Sequence, residues 1–236
     1  MERRPTAVSE LQGRALWKER PMMTKKLASP VFRSDRDGLN IVLNWSGAPE
    51  EEFGVYATAY LEGARRLARQ ALRHGRVRDL DALPIVFLYR HALELSMKAI
   101  VLQGNQHMRL HGEGLPDERL WRNLASHRLS ALLPHVRRVF TFAGWKWRWE
   151  DPRIRTFAEV QEILRDLDSV DPASFAFRYP TNKQGDAAVP HHLSFNLHSF
   201  VSVIDQLAEA LDTAIFGLHS EYDRASEALA TAWALR

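Results

Sequence analysis

Between Pro84 and Gln103 the chain reads PIVFLYRHALELSMKAIVLQ, a run that is apolar on nearly every side of a helix. A surface helix shows one apolar stripe, whereas a helix that is apolar all round needs neighbours on several sides. The run therefore predicts a central helix over about Asp79–Gln103, enclosed by the other elements of its domain. Pro84 falls in or near the first turn, where a missing N–H costs little.

The flanking sequence supplies the enclosing helices. Phe53, Tyr56, Tyr60, Ala64, Leu67 and Ala71 recur at spacings of three and four, which predicts a helix from about residue 50 that Gly75 ends. A third helix is expected over about Glu118–Phe142, with Leu120, Leu124, Leu132, Leu133, Val136 and Phe140 inward. A fourth is expected over about Arg155–Val170, through Phe157, Val160, Leu164 and Leu167. The last runs from about Leu193 to Leu229, and its four–three spacing continues past Leu218 through Tyr222, Ala225 and Leu229. Pro180, Gly185 and Pro190 make FAFRYPTNKQGDAAVPHH a long loop or short hairpin before that helix. No repeat, glycine-rich phosphate loop or strand–helix alternation is visible, which argues against Rossmann, P-loop and barrel folds. The expected fold is an all-α bundle of about five helices over 49–236. Residues 1–48 lack a sustained period and are expected as a tail and a strap, anchored by Ile41, Val42, Leu43 and Trp45.

Of 236 residues, 45% are hydrophobic, enough for a core that needs no covalent staple. The absence of cysteine excludes disulfides, thiolate zinc sites and cysteine nucleophiles. The longest stretch without Asp, Glu, Lys or Arg lies between Asp186 and Asp205 and contains Pro190, His191, His192, Asn196 and His198, so it is no membrane span. With no signal-peptide core at the N-terminus, a cytoplasmic protein without membrane contact is the expectation. The net charge is only +3, but it is unevenly distributed. Residues 65–78 carry six Arg and no acid, residues 109–148 carry eight Lys or Arg against three acids, and residues 203–227 carry six acids against Arg224. Two basic blocks permit a polyanion-binding face and are equally compatible with solvated helix surfaces.

Within the central helix His91, Glu94 and Lys98 are three and four apart and share one seam. Ionisable groups in an apolar helix are costly to bury unless paired, and Glu94 and Lys98 have the favourable i,i+4 order. The seam reads either as a buried pair fixing register or as a preorganised support for a nearby Arg or His. Two elements can meet it: SHRLSALL, with His127 and Arg128, and FRYP, with Arg178 and Tyr179. Arg178 reads as a phosphate clamp with Tyr179 as a stacking partner, or as a salt bridge to Glu94 that closes the loop. His127 is the general-base candidate, since an imidazole titrates near neutral pH. GWKWRWE, residues 144–150, reads as a stacking platform or as a Trp-rich flap over the core. No metal is expected at His191, His192 and His198, whose close acid partner is Asp186 alone, and no cofactor motif is present.

YRHALELSMKAI, SHRLSALL and FRYP together resemble the HEPN superfamily of small helical domains found in bacterial toxin–antitoxin and antiviral defence systems. The E-x-x-x-K of Glu94 and Lys98 is similar to that superfamily's second-helix motif. The resemblance implies a bundle that usually forms a homodimer and often binds or cuts RNA without a metal. Nucleolytic members carry an R-x(4–6)-H motif near the last helix; here that spacing falls instead at Arg69–His74 and Arg122–His127. The leading expectation is therefore an RNA-binding, ribonuclease-like site of His127 and Arg178, with Tyr179, Arg122 and Arg128 as further RNA contacts. His91, Glu94 and Lys98 would support them. The alternative is a non-catalytic helical module for dimerisation or docking of a protein partner.

Overall fold

The structure, a computed structural model, describes residues 41, 43, 49–73, 75, 77–189 and 192–234. Met1–Glu52 and Phe53–Arg236 are separate compact units. In the first, Ile41 and Leu43, expected as anchors, are largely exposed; Val42 and Trp45 lie outside the described residues.

Six helices make up the described architecture, with no strand among the described residues: α1 (Pro49–Leu72), α2 (Asp79–Leu110), α3 (Asp117–Leu124), α4 (Leu129–Phe142), α5 (Phe157–Val170) and α6 (Leu197–Ala234). The fold is an all-α helical bundle. As its sequence requires, α2 is the central element: Ile85, Tyr89, Leu93, Met97 and Ile100 are fully buried, and α6 and α4 pack directly against it. It runs seven residues past the expected end, because Met108 still faces the core. Pro84 is its sixth residue, and the Leu80 carbonyl that loses a donor there lies on an exposed turn. At Gly104 the Val139 side chain of α4 packs so near that a Cβ would lie 2.4 Å from its methyls, so this contact needs glycine.

The inward face of α1 is Ala57, Leu61, Ala64 and Ala68, while Tyr56 and Leu67, expected inside, are 40% and 37% exposed. The stripe is centred one position from the expected one, and its small residues let α1 lie close to the core. Part of the basic block on α1 is neutralised within the fold, with Arg65 donating to Asp205 of α6 at 2.8 Å. The loop before α6 contains a minimal hairpin: Thr181 bridges Ala187 antiparallel, and the Ala188 N–H donates to the Pro180 carbonyl at 3.0 Å.

The expected third helix is in fact two, α3 and α4, separated by Ala125–Arg128. Local sequence contributes Ser126, whose Oγ accepts from the Arg128 N–H at 3.1 Å. The larger cause is tertiary. Asp168 of α5 caps α4 from outside, accepting the N–H groups of Leu129 and Ser130 at 2.9 and 2.8 Å and the Ser130 hydroxyl at 2.6 Å. A carboxylate at a helix N-terminus satisfies orphan donors and complements the dipole.

Candidate functional site

Three turns of α2 place Arg90, Glu94 and Lys98 on one seam, as i,i+4 spacing demands. Arg90 is fully buried and central. One Nη donates to the His127 carbonyl at 2.7 Å and lies 3.5 Å from Asp168, and the other lies 3.4 Å from Glu94. Its Nε faces Asp171 Oδ2 at 3.6 Å, an ion pair too long for a hydrogen bond. One guanidinium thus links α2, the α3–α4 break and the end of α5. Such a cluster is tolerated in a core only because each charge meets an opposite charge or a backbone dipole.

On the outer side of the seam Glu94 Oε1 accepts from Lys98 Nζ at 2.8 Å and from His127 Nδ1 at 2.9 Å. Burial pushes the Glu94 carboxyl up, but the bonds and charges of Lys98 and His127 outweigh it and hold the group below the usual carboxylate range. An ionised carboxylate only accepts, so Nδ1 carries the imidazole proton in the neutral ring and Nε2 keeps its lone pair. The carboxylate is buried while the imidazole is 59% exposed, so the pair spans the boundary between core and solvent.

Asp171 positions the second element. Its Oδ1 accepts the N–H groups of Phe175 and Ala176 at 2.6 and 3.0 Å, which folds the chain after α5 into a turn. Ser174 sits in that turn at φ 57°, a left-handed conformation that a non-glycine residue keeps only under such restraint. From the turn emerge Phe175 and Tyr179, stacked 4.4 Å apart. The Arg178 guanidinium lies over Phe87 at 5.4 Å and over Tyr179 at 5.7 Å, and Phe87 stacks on His91 with their planes 9° apart. Arg178 is exposed and has no carboxylate partner among the described residues, so ring contacts orient it. His91 completes the contact between the two elements. Burial pushes its imidazole below the ordinary value; Glu94 opposes this shift, and the Arg178, Lys98 and Arg90 charges add to it.

The structure therefore brings together His91, Glu94, Lys98 and His127, with Arg178 and Tyr179 beside His91. It corrects two expectations. Arg178 forms no salt bridge with Glu94, whose oxygens are taken by Arg90, Lys98 and His127. The loop bearing Arg178 is held to α2 by Arg90 and Asp171, not by Glu94 and Lys98. Arg122 lies outside the cluster, paired with Glu118 on the exposed face of α3, and Arg128 is exposed at the head of α4. Of the Arg69–His74 spacing, His74 lies outside the described residues. Among the described residues no three His, Asp or Glu side chains are grouped to hold a metal; His191 is not among them.

Sequence reasoning missed Arg90, Asp168 and Asp171. The signals were present. Arg90 lies four residues before Glu94 in an apolar run, and Asp168 and Asp171 sit at the negative end of α5, where an acid needs a partner elsewhere. The Trp-rich segment lies against the core. Trp145, Trp147 and Trp149 pack against the core, with Trp147 Nε1 donating to the Ile154 carbonyl and Trp149 Nε1 to Gln206.

No helix among the described residues is long and apolar enough to cross a membrane. No family model, curated protein or solved structure matches the chain.

Proposed function

We propose that this chain is an HEPN-like helical protein that binds RNA at the Arg178–Tyr179 turn and cleaves it with His127 as general base. One observation carries the reading: a buried, ionised Glu94 holds Nδ1 of an exposed His127, on a helix whose Phe87, seven residues before Glu94, carries the Arg178 guanidinium over its ring. A carboxylate that fixes the imidazole tautomer and leaves the other nitrogen free is the arrangement general-base chemistry uses. Arg178 binds a phosphate of the chain, and Tyr179, half-exposed, stacks on a neighbouring base. His127 Nε2 takes the 2′-hydroxyl proton, the 2′-oxygen attacks the adjacent phosphorus, and the 5′-oxygen leaves, taking a proton from water. The products are a 2′,3′-cyclic phosphate and a 5′-hydroxyl. Nucleophile and leaving group both belong to the RNA, so the protein supplies only a proton acceptor and anion binding. A bacterial defence or toxin–antitoxin setting, in the cytoplasm, follows from the HEPN resemblance.

A second reading, a non-catalytic module for dimerisation or docking, is favoured by two observations. Arg122, the Arg spaced from His127 as in the nucleolytic motif, is spent on Glu118. No residue of α6 beyond Leu218 is fully buried, although its four–three apolar spacing continues to Leu229.

Gel-shift and cleavage assays on wild type, Arg178→Ala and His127→Ala separate the readings. The RNA reading expects weaker binding in the first variant, with an effect that shrinks as salt rises, and lost cleavage with retained binding in the second. A wild type that neither binds nor cuts RNA at physiological salt overturns it.

A further inference from the structure

The segment joining α4 to α5 leaves an open cleft of about 590 Å³, lined by Trp147, Arg148, Trp149, Glu150, Arg155 and Thr156. Its walls are fixed. Both indole N–H groups are bonded within the fold, Trp147 packs its ring 5.1 Å from Phe157, and Thr156 forms a capping box with Glu159 at the start of α5. The neighbouring Arg153 is bound to Asp151 and to Ser202 Oγ. Arg148 and Arg155, by contrast, are exposed and have no carboxylate partner among the described residues. Rigid aromatic walls beside two free guanidinium groups match a ligand with a flat apolar ring and an anion attached to it. Glu150 on the rim leaves the three charged side chains with a net charge of +1, which suits one phosphodiester rather than a polyphosphate.

We infer that this cleft is a second RNA subsite that holds one nucleotide of a single strand, its base on the Trp147–Trp149 wall and its phosphate on Arg148 and Arg155. The inference rests on the RNA reading of the Arg178 site in naming the same polymer, but it uses none of that site's residues. Stacking on an aromatic wall tolerates every base, so the subsite adds affinity and reach rather than sequence choice.

The test is photocrosslinking of the full chain to a single-stranded RNA of roughly eight nucleotides carrying 5-iodouridine, with crosslinks located by mass spectrometry and affinity measured at low salt. Wild type, Arg148→Ala/Arg155→Ala and Arg178→Ala are compared. The expected result is a crosslink to Trp147 or Trp149 and about tenfold weaker binding in the double variant. Both of its substitutions are on exposed side chains, so the fold stays intact. Crosslinks confined to Tyr179, or a double variant that binds like wild type, overturn the cleft and leave the RNA reading standing. Crosslinks in the cleft with Arg178→Ala binding like wild type overturn the Arg178 site and leave the cleft standing. A wild type that binds no RNA overturns both.

Discussion

His127 Nδ1 lies 2.9 Å from Oε1 of Glu94, joining a ring on the surface to a carboxylate in the core. The His127 carbonyl is gripped separately by Arg90. Backbone and side chain of one residue are thus held by two residues four apart on α2, and the imidazole keeps its orientation without a substrate.

Glu94→Gln keeps the shape of the side chain but removes the charge and lets an amide N–H face the ring. Cleavage of RNA is expected to fall by about two orders of magnitude, the scale of a mis-set general base. RNA affinity is expected to change little, because Arg178 is untouched. Single-turnover cleavage alongside filter binding separates the two effects.

Arg90→Met leaves Glu94, Asp168 and Asp171 without the cation they share. Breaking a buried pair on one side costs about 3–5 kcal/mol. A correspondingly lower urea midpoint is expected, together with loss of the ordered Ala125–Arg128 break. A midpoint like that of wild type would show that the guanidinium contributes little to the fold.

Burial lowers the pKa of His91, of His107, which is also pushed down by His111, and of His135, which is also pushed down by Arg138 and Arg119. A lowered folded-state value means that the unfolded chain binds more protons between the two values. The stability these groups confer is therefore complete above about pH 6.5 and is lost as pH falls through their folded values. Glu94, also lowered, extends the loss to more acidic pH. Denaturation at pH 7.5 and 5.5 is expected to give the lower midpoint at 5.5. His107→Leu should narrow that difference, because it removes one of the three depressed imidazoles.

The final turns of α6 are expected to join two copies of the chain. Light scattering at tens of micromolar protein should give a dimer mass, and deletion of residues 219–236 should give a monomer with an intact core, since the buried face of α6 ends at Leu218. A monomeric full-length chain removes this interface.

The central helix was legible because burial on all sides demands an apolar run, and Pro84–Gln103 has one. The seam of His91, Glu94 and Lys98 was legible because 3.6-residue periodicity fixes which positions align. The break at Ala125–Arg128 was not legible, although Pro134, in the second turn of α4, hinted at a fresh start just upstream. What makes the break is Asp168, thirty-eight and thirty-nine residues from the N–H groups it caps. Nor did spacing show that Glu94 reaches His127 rather than Arg178, since a carboxylate has few acceptor sites and several cations competed for them. Local periodicity determined the helices and their faces. Only the packing of α5 across the head of α4 decided which charges met, because partners so far apart in the chain are chosen by the geometry of the folded core.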